Sequence, residues 1–372
     1  MEREGQVILD LTQSNPTVCG LLESEKDLLS AFNDSDNLVY EPSAKGMDLA
    51  RRALSEYYAR QGIRIDPEHI ILTASTSEAY AFLFRLLADP GDGIAFPQPS
   101  YPLFDFLAGL NDVRIDNYPL HFAGNWSIDI SALQRMKDKK LRALTLVNPN
   151  NPTGSYVKTS ELKAINAWCA ARGMTLISDE VFQEFVIDGH PERVSLAGNR
   201  EVLTFALGGL SKTLGLPQMK LSWILVSGPD ELVDLALARL EVIADTYLSV
   251  NTPVQRALPH WLALQPRIHE RIRHRLVDNY TTLKNIFGKI PSVDCLPAEG
   301  GWYAVVRLPG NLDEEEWIMT WLKEDRVFVH PGYFFDFAEA PFAVVSLLPS
   351  VKEFREGVQR MAQRITVLTE RV

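Results

Sequence analysis

Between about residues 72 and 226 this chain alternates short, almost uninterrupted apolar runs with amphipathic ones, and that alternation limits its folds more than any other feature. The runs are Ile70 to Leu72, Gly93 to Phe96, Ala143 to Val147, Met174 to Ser178, Leu203 to Leu207 and Leu221 to Val226. A strand apolar at nearly every position must be covered on both faces. The pattern therefore predicts an α/β fold, with helices packed on both sides of a mostly parallel sheet in a three-layer large domain. Ser160 to Arg172 reads as one such helix, with Ser160 as N-cap and Gly173 as stop signal. A helix near Met47 to Arg60 places Leu49, Ala53, Leu54, Tyr57 and Tyr58 on one side.

The last third changes character. A helix from Pro266 to Phe287, a strand at Trp302 to Leu308, a helix from Asp313 to Glu324, strands near Val327 and Phe342 and a final helix from Val351 predict a smaller α+β domain. A chain of 372 residues exceeds what one core usually supports. The expected division is 1–44 as an N-terminal arm and part of the small domain, 45–265 as the large domain and 266–372 as the small C-terminal domain. A formal net charge of -11 argues against nucleic acid or an anionic membrane as partner. Cys19, Cys169 and Cys295 lie far apart without metal-ligand spacing, and Met1-Glu2-Arg3-Glu4 opens no apolar leader, so a cytoplasmic protein without a bound metal is expected.

Four segments at the ends of these strands have compositions that packing does not call for, and strand ends are where open α/β sheets bind ligands. In Ala206-Leu-Gly-Gly-Leu-Ser-Lys-Thr-Leu-Gly215 a strand runs into a glycine-rich loop carrying Lys212, an amine able to condense with an aldehyde. After the Met174 run comes Asp179, whose carboxylate at a strand end calls for a cation such as a protonated pyridine nitrogen; helix capping is the plainer alternative. Asn148-Pro-Asn-Asn-Pro-Thr-Gly154 fixes an irregular backbone on which Asn151 presents an amide. Thr73-Ala-Ser-Thr-Ser-Glu-Ala79 leads into an apolar helix, so N–H groups and the hydroxyls of Thr76 and Ser77 form an anion site.

In this order, and with Asn15-Pro16, Tyr40, Gly46, Pro90-Gly-Asp92, Pro99-Ser-Tyr-Pro102, Pro217 and Pro331-Gly332, these segments resemble the class I/II aminotransferases, pyridoxal-phosphate (PLP) enzymes of the aspartate aminotransferase fold type. The resemblance covers most of the chain. It implies that Lys212 forms the Schiff base and shuttles the substrate proton, that Asp179 faces the pyridinium and that Asn151 donates to the cofactor's O3′. It implies further that Tyr101 stacks on the ring, and that Thr76, Ser77, Ser211 and Lys220 hold the phosphate. Tyr40 resembles the tyrosine that reaches the phosphate from a neighbouring subunit, which implies a homodimer with shared sites. Asn15, Asn151 and His330 are the expected substrate contacts.

Three departures stand beside these matches. Phe182 replaces a common tyrosine, so one hydrogen bond to O3′ is lost and the imine should keep its proton to higher pH. Lys220 replaces an arginine, exchanging a bidentate fork for a point charge. Relatives usually grip the substrate's α-carboxylate with an arginine in a small-domain strand, and the corresponding run Phe342-Ala-Val-Val-Ser-Leu-Leu-Pro349 has no basic residue. Neither Val344 nor Val345 replaces charge-assisted bonds worth about 1.5 to 3 kcal/mol each. Lys45, Arg326 and His330 are the candidate replacements, with Tyr333 and Thr12-Gln13-Ser14-Asn15 as neutral donors. Transamination between an amino acid and a 2-oxo acid is the leading reading. Elimination, cyclisation or racemisation on the same cofactor, and a PLP-binding regulatory protein, are the alternatives.

Overall fold

The computed structural model describes residues 7–22, 24–189, 191–339 and 341–369. Its strands in chain order are β1 (Leu9–Asp10), β2 (Ile70–Thr73), β3 (Gly93–Gln98), β4 (Arg114–Phe122), β5 (Trp126–Ile128), β6 (Leu141–Val147), β7 (Thr175–Asp179), β8 (Thr204–Gly209), β9 (Ser222–Ser227), β10 (Asp294–Cys295), β11 (Tyr303–Arg307), β12 (Val327–Phe328), β13 (His330–Pro331) and β14 (Phe342–Ser346). Eight of them form one sheet in the order β2-β9-β8-β7-β6-β3-β4-β5. The run from β8 through β7, β6 and β3 to β4 is parallel, whereas β9 is antiparallel to both neighbours and β5 to β4.

The double covering inferred from unbroken apolar runs is visible residue by residue. Leu72, Trp223 and Leu225 enter one core, while Ile71, Ile224 and Val226, alternating with them along the same strands, enter another on the opposite face. Strands β4 and β5 escaped the sequence reading. Only Tyr118 of β4 is buried, because this strand lies near the sheet's polar rim, where Arg114 pairs with Asp116 and Asp138. Such an edge also tolerates Pro119.

The second sheet is antiparallel, in the order β10-β11-β14-β13. The start of the chain joins it: β1 pairs in parallel with β12, and the Ser346 N–H donates to the Leu11 carbonyl at 2.7 Å. Val305, Phe335, Phe342 and Val344 form a core on the face toward the large sheet, together with Trp126 of β5.

Local expectations need four corrections. Leu49 is 47% exposed and Ala50 is buried in its place, because the helix Asp48–Arg60 turns a neighbouring face inward. The helix Thr159–Ala170 begins one residue before the expected cap; Lys158 is the N-cap, and its N–H donates to the Glu161 carboxylate at 2.8 Å. The helix from Asp313 ends as an α-helix at Thr320 and finishes in a wider turn over Trp321–Asp325. The helix expected to start at Pro266 starts at Thr252, capped by Asn251, and passes through Pro259 and Pro266 to Phe287. Each internal proline costs about 3 kcal/mol. Val254, Leu258, Trp261, Ile268, Ile272 and Leu276 are buried along this helix, and at roughly 1.5 to 3 kcal/mol apiece they outweigh that cost.

Candidate active site

Strand register decides which loops meet. Thr73 of β2 stands opposite Ser222 of β9, which stands opposite Gly209 of β8. One strand further, Asp179 at the end of β7 pairs with Leu207 on one side and Val147 on the other. The segments that follow, Ala74–Ser77, Leu210–Lys212 and Asn148–Gly154, therefore leave the sheet along one rim, together with Asp179. Ser211 and Lys220 lie on facing arms of a hairpin closed by the Leu210 N–H on the Leu221 carbonyl, 2.9 Å.

Lys212 sits on a single helical turn, Leu210–Thr213. Its Nζ lies 5.0 Å from the ring centre of Trp302 and 5.5 Å from that of Phe182. Burial among these rings disfavours the ammonium and brings its pKa down to about 8, with the Asp179 carboxylate working the other way. Asp179 is 9% exposed. Burial pushes its carboxyl up to about 6, against the Val181 N–H at 3.3 Å, the Tyr80 hydroxyl at 3.2 Å and the charge of Lys212. No helix follows Asp179, so the capping alternative does not apply. An amine close to its uncharged form and a carboxylate short of counter-charge thus share one rim.

Around them stand groups that the protein itself leaves without partners. Asn151 is buried, and its Oδ1 makes no hydrogen bond among the described residues. Ser75 caps the helix Thr76–Leu87, its Oγ accepting the Glu78 N–H at 3.1 Å. Tyr101, half-exposed after β3, feels the Asp179 carboxylate, which together with burial raises its phenol. Lys220 is exposed with a left-handed backbone, φ 51°.

The small sheet faces this rim with a different set. Tyr303 pairs with Ser346, Val305 with Val344 and Arg307 with Phe342, so all six side chains share one face. His330 pairs with Val344. Tyr303 is 6.5 Å from Phe182, ring to ring, and its phenol is raised by burial and lowered by the Ser14 hydroxyl. His330 lies between Phe334 and Phe335, both 5.9 Å away, and burial lowers its pKa while Asp10 raises it. Its Nδ1 is buried with no hydrogen bond among the described residues.

Several expected residues have partners or surroundings of their own. Lys45 is paired with Glu68 at 2.5 Å, and Arg326 turns its guanidinium to the Lys323 carbonyl of its own turn. Asn15 is exposed, and its Oδ1 already accepts from the Thr17 N–H at 3.0 Å and hydroxyl at 2.8 Å. Tyr40 is 73% exposed on a surface with Leu38 and Val39 rather than at the rim of its own chain. Val344 is fully buried and apolar. Conversely, Tyr80, Trp302 and Tyr303 join the site unannounced. Tyr80 stands one helical turn after Thr76, a spacing that puts both on one side and was readable in principle; Trp302 and Tyr303 arrive through the docking of the two sheets.

A part-buried amine beside a buried carboxylic acid, an amide oxygen without a partner and a Ser75-capped helix N-terminus fit a phosphorylated, electron-withdrawing aldehyde such as PLP, and this combination on a three-layer sheet with a small α+β domain defines a transaminase-type enzyme of fold type I. Residues 8–367 match the family "Aminotransferase class I and II". The chain belongs to that family and is an aminotransferase. It is 24% identical over 370 residues to the glutamate-pyruvate aminotransferase of Haemophilus influenzae, spanning 98% of this chain and 92% of that protein. In structure it is similar to the alanine aminotransferase of Pyrococcus furiosus, TM-score 0.90 at 22% identity, covering 98% and 94% of the two chains. It is likewise similar to the tyrosine aminotransferase of Leishmania infantum, TM-score 0.87 at 23% identity, covering 97% and 92%.

Proposed function

We propose that this aminotransferase holds PLP as a Schiff base on Lys212 and moves an amino group from an amino acid to a 2-oxo acid. The observation that supports this most is the pairing of Lys212 with Asp179 at one rim, each shifted by burial toward its uncharged form. When bound, the pyridine ring supplies an electron sink for the charge left when a Cα–H bond breaks. Asp179 keeps that sink effective by holding a proton on the ring nitrogen. With the cofactor in place, Lys212 Nζ would be the base that takes the proton from the substrate's Cα and the acid that gives it back, which suits an amine whose pKa is already near 8.

Asn151 donates to O3′, Tyr101 covers the ring, and Thr76, Ser77, Ser211 and Lys220 receive the phosphate at the helix N-terminus. The exposed Tyr40 completes the phosphate site of a second copy, so the working unit is a homodimer. His330, Asn151 and the free amide nitrogen of Asn15 contact the substrate. The names of the bacterial relatives, glutamate-pyruvate aminotransferase and alanine aminotransferase, make glutamate, alanine and pyruvate the first substrates to test. No helix among the described residues is long and apolar enough to cross a membrane. With Cys19, Cys169 and Cys295 all free, a reducing cytoplasm is the proposed setting.

The test is incubation of the holoenzyme with single amino acids and no acceptor. The imine absorbance should fall as a 2-oxo acid accumulates in equal amount to the enzyme, and return when a 2-oxo acid is added. Release of ammonia, or racemisation with the band intact, would exclude transamination.

A further inference from the structure

The turn that carries Lys212 is closed mostly on itself. The Leu214 N–H donates to the Leu210 carbonyl at 3.2 Å, Gly215 to Lys212 at 3.1 Å and Leu216 to Leu210 at 2.9 Å. Among the described residues, one side chain from outside reaches the backbone of residues 210–216. It is His269, on the long helix Thr252–Phe287, whose Nε2 bonds to the Thr213 carbonyl.

The chemistry of the partners sets the state of that imidazole. A carbonyl only accepts, so Nε2 must carry the hydrogen. The other nitrogen, Nδ1, lies 2.6 Å from the Gln265 Nε2, an amide nitrogen that only donates, so Nδ1 must be bare. The orientation of Gln265 is held in turn, because its amide nitrogen also donates to Glu184 Oε1 at 3.1 Å. Glu184 further accepts from Gln61 Nε2 at 3.1 Å and from the Tyr57 hydroxyl. A continuous set of hydrogen bonds therefore links Tyr57, Glu184, Gln265 and His269 to the backbone next to Lys212, with Gln265 donating both to Glu184 and to His269. It ties together the helix Asp48–Arg60, the turn after Asp179 and the long helix.

The titratable groups around His269 are Glu184, 3.6 Å from Nε2, then Tyr57 beyond it and Lys212 on the other side. The last is reached through a row of inclined rings: Phe185 is 5.1 Å from His269 and 5.2 Å from Trp302, over which Lys212 Nζ sits. Burial lowers the imidazole pKa to about 4 and raises the Glu184 carboxyl to about 7. A second ring proton would have to point at the Gln265 amide hydrogens, which disfavours it independently of burial.

We infer that His269 is a positioning residue for transamination, its neutral Nε2–H form holding the Thr213 carbonyl and thereby the turn from which Lys212 reaches cofactor and substrate. This rests on the reading that Lys212 forms the imine. A reacting amine displaced by about 1 Å loses on the order of 10²-fold in rate, so a tether one residue away acts on kcat more than on substrate binding.

Two variants and one measurement without cofactor test it. His269→Leu removes the donor, and His269→Gln replaces it with an amide N–H at similar reach. In the Leu variant kcat should fall about tenfold, with both KM values changed less than about twofold. The pH midpoint of the imine band in the substrate-free holoenzyme should also move, and the Gln variant should recover most of both effects. In the cofactor-free wild type, nitrogen-15 NMR of the histidine ring absent from the His269→Gln spectrum should show a neutral Nε2–H tautomer from pH 8 down to about pH 5. Wild-type kcat and band midpoint in His269→Leu, or a His269 ring that titrates near its ordinary value, overturns the inference. The NMR result decides even if the Leu variant does not fold. Absence of an imine band from the wild-type holoenzyme, or its survival in Lys212→Ala, would overturn the Lys212 assignment instead.

Discussion

The two sheets that meet at the active site present opposite kinds of surface. The rim of the large sheet carries Lys212 and Asp179, both shifted by burial, the start of the helix Thr76–Leu87, and Asn151, whose Oδ1 makes no hydrogen bond among the described residues. The facing side of the small sheet carries Val305, Phe342 and Val344, with Tyr303, Ser346, His330 and an Arg307 already engaged by Asp294 and by the Phe122 and Phe342 rings as its polar groups. The difference teaches a division of labour: the large sheet is built to hold and activate a cofactor, while the small sheet shapes what sits beside it. The family resemblance implies an arginine, and so a charge, at the place of Val344. Here that place is apolar, and neither Lys45 nor Arg326 moves in to supply a cation.

This contrast can be broken most severely at Lys212. Lys212→Ala should abolish the imine band and lower turnover by ~10⁴-fold, because among the described residues no other amine stands over the Phe182 and Trp302 rings; full activity in that variant would refute the assignment. Asp179→Ala should keep part of the bound cofactor yet lose ~10²–10³-fold in kcat, measured at saturating PLP; an unchanged kcat would show that the buried carboxylate does not face the ring. On the small-sheet side the effect should be smaller and of another kind. His330→Asn should raise the KM for the amino donor by about 3- to 10-fold, the worth of one hydrogen bond, with cofactor affinity unchanged. A loss of cofactor affinity of the same size would mean that the division between the sheets is wrong.

Much of the large domain could be read from the chain because buried parallel strands leave a mark that does not depend on neighbours: Ile70 to Leu72 or Leu221 to Val226 must be apolar throughout if both faces are covered. The rim residues Lys212, Asp179 and Asn151 were legible for a related reason, since Gly208-Gly209 and the prolines around Asn151 are poor choices for packing. Strand β4 left no such mark, because a largely exposed strand next to the sheet's edge, with Arg114, Asp116 and Pro119, resembles a loop. The long helix was cut short in the reading because Pro266 is a strong local stop, and only the row of buried side chains on either side overrides it.

What the sequence determined by itself is the alternation that makes a doubly covered sheet and the order of chemical groups placed at its strand ends, both local properties of short segments. The tertiary structure alone decided that Tyr80 lies against Asp179, that Trp302 and Tyr303 close over Lys212, and that His269 reaches the Thr213 carbonyl from 56 positions away. Contacts between distant segments depend on how two sheets and a long helix dock, and no periodicity along the chain records that docking.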